Sequence, residues 1–225
     1  MKLRPYFIAL VALSALGLLV APELISSAPR EASMGFVQKI FYYHVPVCWI
    51  TFLATFVCAA GSAAFLFAKS EAGDRIAVSA AELVVLFGAC MLVTGPLWGR
   101  KAWGVYWQWD VRLTTALLLF IIFVAYLFAR KYGGPGSRRL AAGLALFGAA
   151  DVPLIYFSVS IWRTIHPKAT VVSTLTRDMA IPFAVAMVTF TILFFALLEM
   201  RVALERARAR VDELHLEAED AGLEN

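Results

Sequence analysis

The stretch Met179-Ala-Ile-Pro-Phe-Ala-Val-Ala-Met-Val-Thr-Phe-Thr-Ile-Leu-Phe-Phe-Ala-Leu-Leu198 runs for twenty residues without a charge. At about 1.5 Å of rise per residue, such a run crosses the ~30 Å hydrocarbon core of a bilayer as a helix. Hydrocarbon offers no partner to an open strand edge, so helix is the conformation expected. Five further intervals read the same way: Pro5 to Pro22, Ile40 to Ala68, Ile76 to Gly99 with Glu82 inside, Leu113 to Ala129, and Leu140 to Trp162 with Asp151 inside. The expected fold class is therefore all-α, a polytopic membrane protein. A six-transmembrane-helix bundle occupies residues 1–198 and a cytoplasmic, charged C-terminal helix follows in 199–225. In that tail Leu204, Ala207, Val211 and Leu214 recur at short heptad spacing.

Composition agrees with this reading. Of the 225 residues 61% are hydrophobic and 16% charged, with a mean hydropathy of +0.77, whereas soluble domains are about 45–50% apolar. The net charge of +4 does not signal nucleic acid, because the basic residues flank apolar runs instead of forming a stripe. Lys2, Arg4, Lys69, Arg75, Arg130, Lys131, Arg138, Arg139 and the tail arginines fall on one side of the expected membrane. Arg30, Lys39, Arg100, Lys101, Arg112, Arg163, Lys168 and Arg177 fall on the other. The richer side is the cytoplasmic one, which places both termini there. The first apolar run follows Lys2 and Arg4 like a signal peptide, but no small-x-small site precedes Glu23, and it reads as a retained helix.

Cys48, Cys58 and Cys90 lie in apolar runs without a zinc-type spacing and read as small core residues. Gly133, Gly134, Pro135 and Gly136 mark a tight cytoplasmic turn. Glu82 and Asp151, the carboxylates inside spans, must face the bundle or stay protonated, and a structural hydrogen-bond role is the first choice for both.

Chemistry concentrates on the outer side. His44 sits in Phe41-Tyr42-Tyr43-His44-Val45-Pro46 and His166 in Trp162-Arg163-Thr164-Ile165-His166-Pro167. Between them the second outer loop reads Trp98-Gly99-Arg100-Lys101-Ala102-Trp103-Gly104-Val105-Tyr106-Trp107-Gln108-Trp109-Asp110. Five of the six tryptophans, Trp98, Trp103, Trp107, Trp109 and Trp162, belong to this face. A single tryptophan there is ordinary interfacial anchoring, but four in one short loop exceed what a belt requires. Gly99 and Gly104 among them leave room for a flat ligand to approach the backbone. Two neutral imidazoles complete the axial coordination of haem iron, and aromatic rings cover the porphyrin. Arg100, Lys101, Arg112, Arg163 and Lys168 are then candidates for the propionates, or for lipid phosphates. His215, in the tail, reads as solvated.

These residues resemble the tryptophan-rich haem-handling family of cytochrome c maturation (CcmC, CcmF and CcsA), which shares a motif ending in Trp-Asp. The match here is Trp103-Gly104-Val105-Tyr106-Trp107-Gln108-Trp109-Asp110, continued by Val111-Arg112-Leu113-Thr114. That continuation, the six spans and one outer histidine on each side of the motif resemble the smallest, haem-delivery type (CcmC). The larger, haem-ligating relatives usually have proline after the aspartate and many more spans. Tyr43 to Pro46, Gly95 to Thr114, Val152 to Ser158 and Trp162 to His166 carry the likeness; Arg163 and Pro167 depart from the usual tryptophan and glutamine.

The resemblance implies haem b held by His44 and His166 as axial ligands, on a platform of Trp98, Trp103, Gly104, Trp107, Trp109 and Asp110. It also implies delivery to a membrane-anchored periplasmic haem chaperone (CcmE type), with an ATP-binding-cassette complex and a small membrane subunit (CcmA, CcmB and CcmD type) as further partners. The place is the bacterial inner membrane, with the haem site periplasmic, and the role is a scaffold for transfer instead of a turnover enzyme. Two rivals stay open on the residues alone: a bis-histidine membrane cytochrome that carries electrons, and a small-molecule transporter with Glu82 and Asp151 along its path.

Overall fold

A computed structural model describes residues 5–32, 34–167 and 169–220, the side chains of 169 and 170 excepted. Among these residues six helices are long and apolar enough to cross a membrane. They are α1 (Pro5–Ser27), α2 (Phe41–Ala68), α3 (Glu71–Ala102), α4 (Val111–Tyr132), α5 (Ser137–Ile161) and α6 (Arg177–Asp220). Short 3-10 turns at Phe36–Ile40 and Ala169–Thr174 lead into α2 and α6.

Several helices outrun the charge-free intervals, for identifiable reasons. Ser70 caps α3, its hydroxyl accepting from the Gly73 N–H at 3.0 Å, so the helix starts at Glu71, five residues before the expected Ile76. At its far end α3 continues to Ala102, which puts Trp98, Arg100 and Lys101 on helix instead of loop. The sixth span does not stop at Leu198: α6 has 44 residues, about 66 Å at helical rise and twice the hydrocarbon thickness. The tail's helical reading holds to Asp220, as a continuation of α6. Beyond the bilayer length it is supported by exposed Arg208–Glu205 and Arg210–Glu213 pairs.

The core lies between α2, α3, α4 and α5, with Phe194 of α6 closing one side. Where α2 and α3 cross, a Cβ on Gly61 would stand 2.5 Å from the Gly73 carbonyl oxygen, and one on Gly73 would stand 2.8 Å from that of Gly61. Only backbone fits there, a small-residue contact of the kind that packs helices in lipid, where association gains nothing from hiding apolar surface. Helix α1 stands apart. It packs on α6, while Leu13, Leu16 and Leu19 remain exposed toward what a bilayer would cover.

Charge fastens the two ends differently. At the end of the arginine-rich turns, buried Asp74 of α3 accepts from both Nη of Arg130 in α4 (2.7 and 2.9 Å) and from Nε of Arg138 in α5 (3.0 Å), tying three helices. Glu82 pairs with Arg201, joining α3 to α6. The structural role expected for Glu82 is thus the one it has. At the opposite end the Lys39 ammonium donates to the carbonyls of Ile25, Ser26 and Ala28, at 2.7, 2.5 and 3.1 Å. It caps the C-terminus of α1, where a cation is favourable. The turn at 133–136 is as expected, with Gly134 and Gly136 at φ of 63° and 87°.

Candidate functional site

The start of α2, the ends of α3 and α5, the start of α4 and the loop before α6 converge at the Lys39 end. Between them lies a small, partly open cleft of about 80 Å³. His44 and His166 both line it, together with Trp98, Trp103, Tyr106, Trp107 and Arg112. Residues 122 positions apart in the chain thus meet in one apolar chamber.

Both imidazoles are set up to offer Nε2. The Thr94 hydroxyl lies 2.7 Å from the Cys90 carbonyl and 2.8 Å from His44 Nδ1; with its proton on that carbonyl, its oxygen is an acceptor for Nδ1–H. The Cys48 thiol lies against Nε2 at 3.4 Å. In the outer loop His166 Nδ1 donates to the Pro167 carbonyl at 2.8 Å, again leaving Nε2 as the lone-pair atom. Tying down one ring nitrogen so that the other can ligate is the usual outer arrangement around a metal-binding imidazole.

Burial, reinforced by the Arg112 guanidinium, pushes the His166 pKa from 6.5 down to about 3, the Pro167 carbonyl opposing. The ring is therefore expected to stay neutral from about pH 8 to about pH 5, where an ordinary histidine would protonate. Nitrogen NMR of labelled haem-free protein checks this; a midpoint near the ordinary value contradicts it. Since the folded value lies below the unfolded one, the folded chain binds fewer protons between them, and haem-free stability falls as pH drops through that window.

The cleft also carries donors that lack acceptors. Trp98 Nε1 and Trp107 Nε1 are buried without a hydrogen-bond partner among the described residues. Arg112 donates to the Ile155 carbonyl at 3.1 Å and has no ion pair among the described residues. A guanidinium in an apolar cleft without a counter-ion is costly unless the ligand brings an anion. An apolar cleft with two free imidazole nitrogens and unpaired donors fits a flat, iron-bearing group with carboxylates.

Not every residue singled out in the sequence belongs to this chamber. Trp109 is 75% exposed and reaches it only through an edge contact with Trp107, centroids 5.6 Å apart. Gly104 is needed for its φ of 80°, and Gly99 seats the Trp103 ring, which a Cβ would meet at 3.1 Å. These glycines shape the loop itself, and neither lines the cleft. Arg100 donates to the Gly104 carbonyl at 2.7 Å. Lys101 and Arg163 are exposed and do not line the cleft; Lys168 lies outside the described residues.

Asp110 has a role that the sequence did not indicate. One carboxylate oxygen accepts from the Leu113 N–H at 2.9 Å, capping α4. The other accepts from the Thr164 hydroxyl at 2.6 Å and the Ile165 N–H at 3.2 Å, and the Thr164 oxygen in turn accepts from the His166 N–H at 3.0 Å. The aspartate ending the tryptophan motif is therefore the clasp between that motif and the histidine loop. Thr164 and Thr94, the hydroxyls that complete these networks, were not legible as site residues.

Asp151 lies one helical turn from Ile155 of the cleft wall; it is buried, and its Oδ2 has no partner among the described residues.

Comparison with known proteins adds an independent line. A family model described as heme exporter protein C matches residues 1–217. The heme exporter protein C of Bradyrhizobium diazoefficiens is 36% identical over 195 residues, 84% of this chain and 74% of that protein. The Escherichia coli K12 protein of the same name is 30% identical over 200 residues, 84% and 80% of the two chains. A putative cytochrome c biosynthesis ccmC-like mitochondrial protein of Marchantia polymorpha is 32% identical over 179 residues, 77% of each chain. On the match to nearly its whole length, this chain belongs to the heme exporter protein C family.

Proposed function

We propose that the chain holds haem in the cleft, with His44 Nε2 and His166 Nε2 as axial ligands, and delivers it to a haem chaperone for c-type cytochrome biogenesis. The observation that carries this reading is the pair of tautomer-fixed imidazoles lining one apolar cleft, far apart in sequence. The names of the relatives, heme exporter and cytochrome c biosynthesis proteins, support the same cargo and pathway.

Within this reading Arg112, Trp98 Nε1 and Trp107 Nε1 take the propionates, and the rings of Trp103, Tyr106 and Trp107 cover the macrocycle. Exposed Trp109, Tyr106 and Trp162 form the rim that a membrane-anchored chaperone of the CcmE type would meet. The cargo is haem b, as the non-covalent form that imidazole ligation alone retains. The charge asymmetry supports an orientation in a bacterial inner membrane with the Asp74–Arg130–Arg138 end and both termini cytoplasmic and the cleft periplasmic. An ATP-binding-cassette complex with CcmA, CcmB and CcmD type subunits would act with the chain there.

Delivery separates this function from electron transfer. Purified haem-loaded protein mixed with a soluble form of the chaperone is expected to lose its haem spectrum as the chaperone gains one. Reversible cycling with a quinol while haem stays bound contradicts the proposal.

A further inference from the structure

Helix α3 meets the His44 ring at two successive residues. Thr94 engages Nδ1 at 2.8 Å, and Gly95 lies under the ring, so that a Cβ there would stand 3.2 Å from Cε1. The direction of the first contact is fixed by a third group. The Thr94 hydroxyl proton is spent on the Cys90 carbonyl one turn back, at 2.7 Å, so the oxygen can only accept from His44. Imidazole Nδ1 then carries the proton, and Nε2 is the lone-pair nitrogen, with the Cys48 thiol 3.4 Å away.

We infer that Thr94 and Gly95 form a seat on α3 that fixes the tautomer and tilt of His44, making them positioning residues for haem ligation. This rests on the reading of His44 as an axial ligand. The seat joins α2 to α3, two helices that also touch backbone to backbone nearer their opposite ends, at Gly61 and Gly73. A hydrogen bond accepted from Nδ1–H also makes the ligand more electron-rich, which favours ferric iron and lowers the reduction potential.

The test compares Thr94→Val, which keeps the shape and loses the acceptor, with Thr94→Ser, which keeps the acceptor, and Gly95→Ala, which crowds the ring. In haem-free protein labelled at histidine nitrogen, wild type and Thr94→Ser are expected to show a protonated Nδ1 at His44, and Thr94→Val a mixture of tautomers. With haem added, Thr94→Val and Gly95→Ala are expected to bind about 10–100-fold more weakly, the usual cost of losing an outer-shell partner. Thr94→Val should also titrate at a higher potential, and Thr94→Ser should follow wild type. A wild-type protein protonated at Nε2, or a Thr94→Val protein with wild-type affinity and potential, would overturn the seat. If His44→Ala keeps two axial imidazoles, the ligand reading fails instead, while the tautomer spectrum of haem-free protein still reports on the seat.

Discussion

Protein purified from haem-replete cells as His44→Ala or His166→Ala is expected to lack the six-coordinate absorption signature expected of the wild type. In the proposed site each imidazole supplies one of two axial bonds. Cys48 is the nearest other soft donor, 3.4 Å from His44 Nε2. It lies half-buried in the apolar span α2. The loss should exceed the ~10–100-fold typical of outer-shell changes, and the double variant should bind no haem by absorbance. A double variant that retained both the spectrum and cytochrome c assembly would refute the assignment.

The second large effect is expected at Asp110, although its carboxylate is committed within the protein. Asp110→Ala removes the α4 cap, worth ~1 kcal/mol, together with acceptors for the Thr164 hydroxyl and the Ile165 N–H, each charge-assisted bond worth about 1.5–3 kcal/mol. Those two bonds hold the loop whose next residue is His166. Untied, the loop samples other arrangements, and only the fraction with Nε2 facing the cleft can bind. Haem affinity should fall about 10–100-fold through the loosened His166 loop, with His44 ligation intact, giving a mixed five- and six-coordinate spectrum. Asp110→Asn keeps one acceptor oxygen and should fall between. A wild-type spectrum and affinity in Asp110→Ala would show that the clasp does not govern His166.

What the sequence made legible follows from which interactions are local. Long charge-free runs announce spans, because hydrocarbon forbids anything but helix there, and all six appear in the structure. Their ends were less legible, since counting intervals between charges ignores caps: Ser70 starts α3 at Glu71, and no breaker interrupts α6 after Leu198. The two histidines were legible because tryptophans crowd the same face. Among five candidate cations the sequence had no means of choosing; of the four that the structure describes, Arg112 alone lines the cleft. Asp110 and the glycines belonged to the right motif, but their work is internal to the loop, a distinction that appears only when hydrogen-bond partners are known. Thr94 was invisible, because its partner is 50 residues away across a helix crossing that no periodicity encodes. Glu82 and Asp151 looked alike as buried carboxylates; one is paired with Arg201 and the other is not.

The measurement that tests the central claim most directly is electron–nuclear spectroscopy of ferric, haem-loaded protein carrying nitrogen-15 at histidine alone. Two equivalent-strength imidazole couplings to a low-spin iron are predicted, one vanishing in His44→Ala and the other in His166→Ala. A single coupling in the wild type, or a pair that survives either substitution, would contradict it.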